Sequence, residues 1–124
     1  MTDGSQTNLG VAPNVGGLLC YAPCCIGLVF SVVVAVVEKQ SRFLRFHAFQ
    51  SLLFHGALLV VSIGVQIALT ILGMISSGLA LIGSLLWMLV GLGVLAAVIL
   101  LMVKAYGNEE YKLPVIGDMA QKWL

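Results

Sequence analysis

Apolar residues fill most of this chain in long runs, and the charged residues lie outside those runs. A membrane-spanning helix needs about 20 apolar residues, because the hydrocarbon core is about 30 Å thick and each helical residue rises about 1.5 Å. One uncharged run covers residues 15–37, and another extends from Phe46 to Val103. The second run is long enough for two crossings, so the pattern predicts three spanning helices.

Local breaks set the boundaries of these helices. The segment from Gly73 to Gly78 concentrates Gly and Ser residues, which favour a turn, inside the second run. Pro23 lies inside the first run, where it should kink the helix or end a first short turn. The predicted organisation is a polar tail over residues 1–14, a membrane domain over 15–104 with helices at about 15–37, 44–73 and 79–104, and a cytoplasmic tail over 105–124.

The C-terminal tail has a helical pattern of its own. Pro114 can open a helix at its first position, and apolar residues from Ile116 to Leu124 then fall on one side. About ten residues are too few to span a bilayer, so we expect an amphipathic helix at the membrane interface, and a frayed tail is the alternative. The predicted fold is an all-α, integral membrane three-helix bundle with a short C-terminal amphipathic interfacial helix.

The basic residues predict an orientation, because cytoplasmic loops retain Lys and Arg. With three spans, every basic residue falls on one side of the membrane. We therefore expect a multi-pass protein of a prokaryotic cell membrane, with the N-terminus outside and the C-terminus in the cytoplasm. The six residues are Lys39, Arg42, Arg45, Lys104, Lys112 and Lys122.

Four residues near the predicted cytoplasmic side are candidates for contact with lipid headgroups or a partner. Arg42 and Arg45 lie at the mouth of the second helix, where their side chains can reach lipid phosphates. Lys112 and Trp123 belong to the tail, and Trp is enriched at headgroup depth.

Composition excludes several classes of protein. Hydrophobic residues make up 60% of the chain and charged residues 9%, against about 25% charged in soluble domains. The net charge of +1 is too small to indicate a nucleic-acid surface. The odd number of cysteines, Cys20, Cys24 and Cys25, argues against an intramolecular disulfide framework, so we expect reduced thiols.

Residue sets that carry out chemistry are missing from the sequence. It holds no paired buried carboxylates, no Ser-His-Asp set and no phosphate-binding glycine loop. Its few His and Cys residues are a weak pattern for a metal site, which needs three or four ligands. We expect a protein that is not an enzyme and that has no metal or cofactor.

Polar residues concentrate in one stretch, SRFLRFHAFQSLLFH. A four-residue spacing places His47, Ser51 and His55 on one side of the second helix, and Gln66 continues this stripe. Two interpretations are open. The stripe forms hydrogen bonds across a helix interface, worth about 0.6 kcal/mol each, or its imidazoles form a proton relay or pH-sensitive site. Gln50 should face a neighbouring element, because an unpaired amide in lipid is costly.

Small residues repeat at four-residue intervals on the first helix, at Gly27, Ser31 and Ala35. Small residues at this spacing let helix backbones approach closely in lipid. We interpret them as a packing face, either within a tight three-helix bundle or for another membrane subunit.

Two segments of the sequence resemble a known family. RFLRFHAFQSLLFH, preceded by EKQS, and the later AYGNEEYKLPVIGDMAQKW are similar to a widespread family of small bacterial and archaeal membrane proteins of unknown function. That family is distantly related to the Tic import component of the chloroplast inner envelope. The resemblance implies a three- or four-helix protein that assists or belongs to a larger membrane assembly, and it supplies no catalytic residues.

Two functions remain as hypotheses. The first is a non-enzymatic accessory or structural subunit of a larger membrane complex, with the lipid bilayer and other membrane proteins as partners. The alternative is a channel or protein-translocation component formed by self-association, in which the stripe from His47 to His55 lines a wet path.

Overall fold

The computed structural model describes residues 7–23 and 25–124, in which all regular structure is helical. The predicted all-α class is confirmed. Cys24 and most of the predicted N-terminal tail lie outside the described residues. The helices are α1 (Pro13–Cys20), α2 (Cys25–Val37), α3 (Arg42–Ile75), α4 (Ser77–Tyr106) and α5 (Ile116–Lys122).

The helix predicted over residues 15–37 is divided into α1 and α2, and of the two effects expected of Pro23 the structure shows the end of a first short helical segment. The break lies around Pro23, whose ring removes a backbone N–H and disfavours helical geometry in the preceding residue. The N–H of Tyr21 already donates to the Leu18 carbonyl, three residues back, at 3.1 Å. This tight last turn ends α1 before the proline.

Neither of these two helices is long enough to cross a bilayer. The 8 residues of α1 extend about 12 Å and the 13 residues of α2 about 20 Å, against a hydrocarbon core of about 30 Å. Within the described residues, two helices have the length and apolar composition of membrane spans, namely α3 with 34 residues and α4 with 30. The structure therefore gives two long apolar helices where the sequence predicted three.

The long helices lie where the sequence predicted them but extend further. The expected turn from Gly73 to Gly78 shrinks to Ser76, the one non-helical residue between α3 and α4. The Ser76 hydroxyl accepts the N–H of Leu79 at 3.4 Å, which helps to begin α4. Glycine at position 73 continues α3 instead of ending it.

The chain divides into two compact units. Unit 1 contains the described residues up to His55 together with Val98–Leu124, and unit 2 is Gly56–Ala97. Unit 2 is a helical hairpin without a single charged residue. A Cβ at Gly83 of α4 would lie 2.6 Å from Leu69 Cδ2 of α3, so glycine allows the two helices to approach here.

In unit 1, α1 packs against the start of α3 and the end of α4. A Cβ at Gly16 would lie 2.7 Å from the Leu44 side chain. A Cβ at Gly17 would lie 3.1 Å from Ala105 Cβ and 3.3 Å from the Phe43 ring. Glycine in both positions lets the α1 backbone approach both neighbouring helices.

Helix α2 folds back along α1, and Gly27 makes this return feasible. A Cβ at Gly27 would overlap the backbone of Ala22 and Cys20. A small core of Cys20, Val34, Leu44 and Ala48 forms between these helices and α3.

The first described part of the chain is bound both to the link before α3 and to the end of α4. The Asn8 side-chain carbonyl accepts the N–H of Lys39 at 2.6 Å, just before α3. The Asn14 side-chain amide donates to the carbonyl of Tyr106, the last residue of α4, at 3.2 Å. The predicted tail over residues 1–14 is therefore too long, since the chain is already folded onto unit 1 at Asn8 and α1 begins at Pro13.

The C-terminal helix forms, but it begins at Ile116 rather than Pro114. Its buried side holds Gly117 and Ala120. The Trp123 ring, just after α5, packs edge-on against Phe49 of α3 with ring centres 5.9 Å apart. The location of α5 at a membrane interface stays a prediction.

Candidate functional site

A cluster of buried polar side chains lies on the first turns of α3. His47, Gln50 and Ser51 are all fully buried. Spacings of three and four residues bring them to the same side of the helix, which faces α1 and the chain after α4.

Gln50 is the centre of this cluster. Its side-chain Nε2 donates to the Tyr21 hydroxyl at 2.8 Å and to the Tyr111 carbonyl at 2.9 Å. Its Oε1 accepts the backbone N–H of Leu113 at 2.9 Å. A backbone N–H only donates and a carbonyl only accepts, so these partners fix which way the amide points.

His47 extends the same network. Its Nε2 lies 3.1 Å from the Glu109 carbonyl, and its Nδ1 lies 2.9 Å from the Tyr21 hydroxyl. A carbonyl can only accept, so Nε2 carries the proton and Nδ1 accepts the tyrosine O–H. The rings of Tyr21, Phe43 and Phe46 all meet this imidazole edge-on.

Together these bonds form one directed chain. The Gln50 amide donates to Tyr21, Tyr21 donates to His47, and His47 donates to the backbone at Glu109. The network therefore ties three parts of unit 1 together: the end of α1, the start of α3 and the extended segment after α4.

Ser51 makes a second connection between α3 and α1. Its hydroxyl and that of Ser31 on α2 both donate to the Cys20 carbonyl at the end of α1. Carbonyls at a helix end have no partner within the helix, so the two hydroxyls satisfy one of them from two neighbouring helices.

His55 ends this part of the stripe. Its Nδ1 lies 2.8 Å from the Ser51 carbonyl and 3.0 Å from the Ser51 hydroxyl, so Nδ1 carries the proton and points back along α3. Gln66 is exposed and belongs to unit 2.

Within residues 7–23 and 25–124, every buried side-chain nitrogen and oxygen has a hydrogen-bond partner. The buried polar cluster is thus satisfied by the chain itself. An arrangement of this kind holds elements in register, because leaving one buried partner unpaired costs about 1–3 kcal/mol.

Glu38, between α2 and α3, forms a separate polar anchor. Its carboxylate accepts backbone N–H groups from Asn8 at 2.8 Å, Gln40 at 2.8 Å and Ser41 at 3.0 Å. Burial by itself would raise the pKa of this carboxyl group, but the N–H donors outweigh burial and hold the pKa below its ordinary value of 4.5. The charged form therefore stabilises the link before α3.

The predicted headgroup residues have different surroundings. Arg45 donates to the Glu38 carbonyl at 2.7 Å, at the end of α2, and its guanidinium lies 5.1 Å from the centre of the Phe49 ring. Arg42, Lys112 and Trp123 are exposed.

The predicted packing residues lie against α1 or at the end of α2. Gly27 and Ser31 are buried against the end of α1, and the Ala35 carbonyl accepts Arg45 at 3.4 Å. Cys20 is buried and Cys25 exposed, both as free thiols. Across the part of the chain that the structure describes, no three His, Cys, Asp or Glu side chains come together to hold a metal ion.

Sequence reasoning missed the partners of the cluster. It does not point to Tyr21, although a tyrosine within an apolar run needs a partner for its hydroxyl. It also does not point to Asn8 and Glu38, which form the separate polar anchor. The carbonyls of Glu109 and Tyr111 carry no side-chain signal at all, since any residue type provides them.

Comparison with known proteins gives a family match over nearly the whole chain. The model of a family described as the magnetosome magnetite crystal formation protein family matches residues 5–120. A UPF0132 membrane protein of Methanocaldococcus jannaschii is 41% identical over 121 residues, which cover 95% of this chain and 94% of that protein. A UPF0132 membrane protein of Archaeoglobus fulgidus is 34% identical over 109 residues, covering 88% and 92%.

Solved structures give no match to this chain. The similarity to a family of small membrane proteins is confirmed by the relatives above. None of these matches concerns the Tic import component, so that more distant resemblance stays a prediction.

Replacing Gln50 by Leu should release the segment after α4. The substitution removes three hydrogen bonds and leaves the Leu113 N–H and Tyr111 carbonyl without their partner. We expect a loss of about 1–3 kcal/mol in the free energy of unfolding. Amide exchange of residues 109–124 should also become faster, measured by mass spectrometry in detergent. Gln66→Leu on the same helix is the control, and equal effects of the two changes would contradict the assigned role.

Acid should destabilise the protein through Glu38. Its folded pKa is lowered, so the carboxylate stabilises the fold above the ordinary pKa of 4.5, and this contribution is lost as the pH falls through the lower folded value. Glu38→Gln should cost about 1–3 kcal/mol at pH 7 and flatten the acid side of a thermal-stability profile. Exposed Glu110→Gln should leave that profile as in the wild type. An unchanged acid side in Glu38→Gln would show that the carboxylate contributes nothing.

Proposed function

Because this chain belongs to the magnetosome magnetite crystal formation protein family and its archaeal relatives are named membrane proteins, we propose that it is a multi-pass membrane protein with a non-enzymatic, accessory role. In this proposal α3 and α4 cross the bilayer as a hairpin. Unit 2 supports the assignment, because its helical segments before and after Ser76 each extend about 30 Å and carry no charge.

The hairpin puts every basic residue on one side of the membrane. The residues before unit 2 and those after it are then on the same side, and all Lys and Arg residues of the chain belong to these parts. The preference of basic residues for the cytoplasm assigns that side to the cytoplasm. Two crossings therefore also put all Lys and Arg residues on one side, a distribution that the sequence analysis explained with three crossings.

The proposed topology changes the expected side of the N-terminal segment. Helices α1 and α2 are each too short to cross, and Asn8 and Asn14 bind the link before α3 and the end of α4. We infer that α1 and α2 form a re-entrant pair that begins and ends on the cytoplasmic side. The N-terminal segment then lies with the C-terminus in the cytoplasm, in place of the expected opposite sides.

The accessory role is supported chiefly by where polar and apolar groups lie. The buried polar side chains of the described residues form hydrogen bonds within the chain, while the large side chains exposed on unit 2 are mostly apolar. A Cβ added at Gly64 or Gly91 would have no atom of another helix within 4 Å, so the helix surface is open there. Open small-residue surfaces are typical of contacts between membrane helices, and they suit another subunit.

A channel is the weaker candidate. A wet path would need polar groups that face water, whereas His47 and Ser51 are buried and donate their protons to carbonyls within the chain.

The family description names magnetite crystal formation, while the archaeal relatives are named only as membrane proteins. We therefore base the proposal on the membrane features and assign no crystal substrate to this chain.

Protease protection tests the topology. Epitope tags are placed before Met1, after Leu124 and between Ser76 and Ser77, and protease is added to intact spheroplasts. We expect cleavage of the hairpin tag alone, and loss of all three tags after lysis. Cleavage of the N-terminal tag in intact spheroplasts would show that the N-terminus lies outside, which would require a third crossing.

Purification in mild detergent from cells with native expression tests the accessory role. We expect another membrane protein at a fixed ratio, identified by mass spectrometry. Gly91→Leu should reduce this ratio at least several-fold with little change in thermal stability, because its added side chain meets nothing within the chain. Leu92→Ile is the matched control on the same helix. A lone monomer at native levels would overturn the accessory role.

A further inference from the structure

Helix α2 exposes a continuous apolar stripe. Ile26 is 65% exposed, Val29 59% and Val36 66%, although these are large hydrophobic side chains. Spacings of three and four residues place them along one side of the helix, together with Val33. The opposite side, with Gly27, Ser31 and Val34, is buried within unit 1.

A groove lies along the first half of this stripe. It measures about 430 Å³, and it has an entirely apolar lining apart from one thiol. The lining residues are Cys25, Ile26, Val29, Phe30 and Val33. A groove of this size holds part of a hydrocarbon chain or of an apolar side-chain ridge.

A basic cavity lies beyond the other end of the helix. It measures about 210 Å³ and is lined by Lys39, Gln40, Arg42, Arg45 and Leu124. Arg45 connects it to α2, because its guanidinium donates to the Ala35 and Glu38 carbonyls at the helix end.

The three cationic side chains of this cavity form no salt bridge with a carboxylate of the described residues. The carboxylate of Glu38 is buried and bound to backbone N–H groups. The salt bridge that the described residues form joins Lys104 and Glu109, and it involves none of the three cavity cations. Arg45 also keeps N–H groups beyond those used for the two carbonyls, since a guanidinium has five.

The length of α2 is comparable with the depth of one membrane leaflet. Its 13 residues extend about 20 Å, against about 15 Å for half of the hydrocarbon thickness. An anionic headgroup at the basic end would therefore place its hydrocarbon chain along the stripe. A partner helix would cover the stripe equally well but would have no need of a cationic end.

We propose that α2 and the basic cavity together bind one anionic membrane lipid. Its phosphate contacts Lys39, Arg42 and Arg45, and one hydrocarbon chain lies along the stripe from Val36 to Ile26. The site relies on the proposed membrane location, but it is independent of the accessory role.

Native mass spectrometry of the protein released from nanodiscs tests the site. With equal amounts of phosphatidylglycerol and phosphatidylcholine, we expect one retained phosphatidylglycerol per chain. The double change Lys39→Gln with Arg42→Gln should reduce this retention about tenfold. The matched control, Lys104→Gln with Lys122→Gln, removes the same charge outside the cavity and should retain the lipid. Arg45 is left intact because it also supports the end of α2.

Two further measurements separate the alternatives. Excess glycerol phosphate should leave the lipid bound, and full displacement by it would indicate a simple phosphate site without a role for the stripe. A photoreactive side chain at position 33 should form adducts of lipid mass in native membranes. Protein adducts alone would show that a helix occupies the stripe and would overturn the lipid proposal. Equal retention of the two lipids, or equal effects of the two double changes, would also overturn it.

Discussion

The hydrogen bonds of Gln50 are the interaction on which unit 1 depends. One amide on α3 binds the end of α1 through Tyr21 and the segment after α4 through Tyr111 and Leu113. Each partner is buried or held in backbone geometry, so the amide cannot rotate without leaving a donor or acceptor unpaired. His47 then completes the network by using both ring nitrogens. Three parts of the chain that are distant in sequence are thus held together by the hydrogen bonds of a few buried polar side chains.

Polar groups and charges are distributed very unevenly between the two units. Unit 2 has no charge, and its apolar side chains are exposed, whereas unit 1 holds the buried network, the Glu38 anchor and all basic residues. Unit 1 is compact because its first helices are short and several of its glycines leave no room for a Cβ. Ser31 and Ser51 also cap the same carbonyl, that of Cys20. The absence of charge and the exposed apolar side chains make unit 2 suited to lipid.

The sequence predicts the helical class and the two long helices well, because hydrophobic runs and charges are strong local signals. It indicates a kink or a helix end at Pro23 but not that the chain folds back there, since an uncharged run of spanning length looks the same whether it crosses once or folds back. It names His47, Gln50 and Ser51, which the structure brings to one buried side of α3. The sequence does not predict their partners, because the backbone carbonyls of Glu109 and Tyr111 lie 61–62 residues away along the chain and any residue type provides a carbonyl.

The most direct test of the buried network is the tautomer of His47, measured by NMR of ¹⁵N-labelled histidine at pH 8 in lipid nanodiscs. The chain has two histidines, and the His55→Gln variant assigns their signals. The network predicts a single tautomer for His47, with the proton on Nε2 and an unprotonated Nδ1 that accepts the Tyr21 hydroxyl, opposite to the Nδ1–H form of His55. An averaged mixture of both tautomers at His47, as for an imidazole in water, would contradict the network and with it the proposed attachment of α1 and the C-terminal segment to α3.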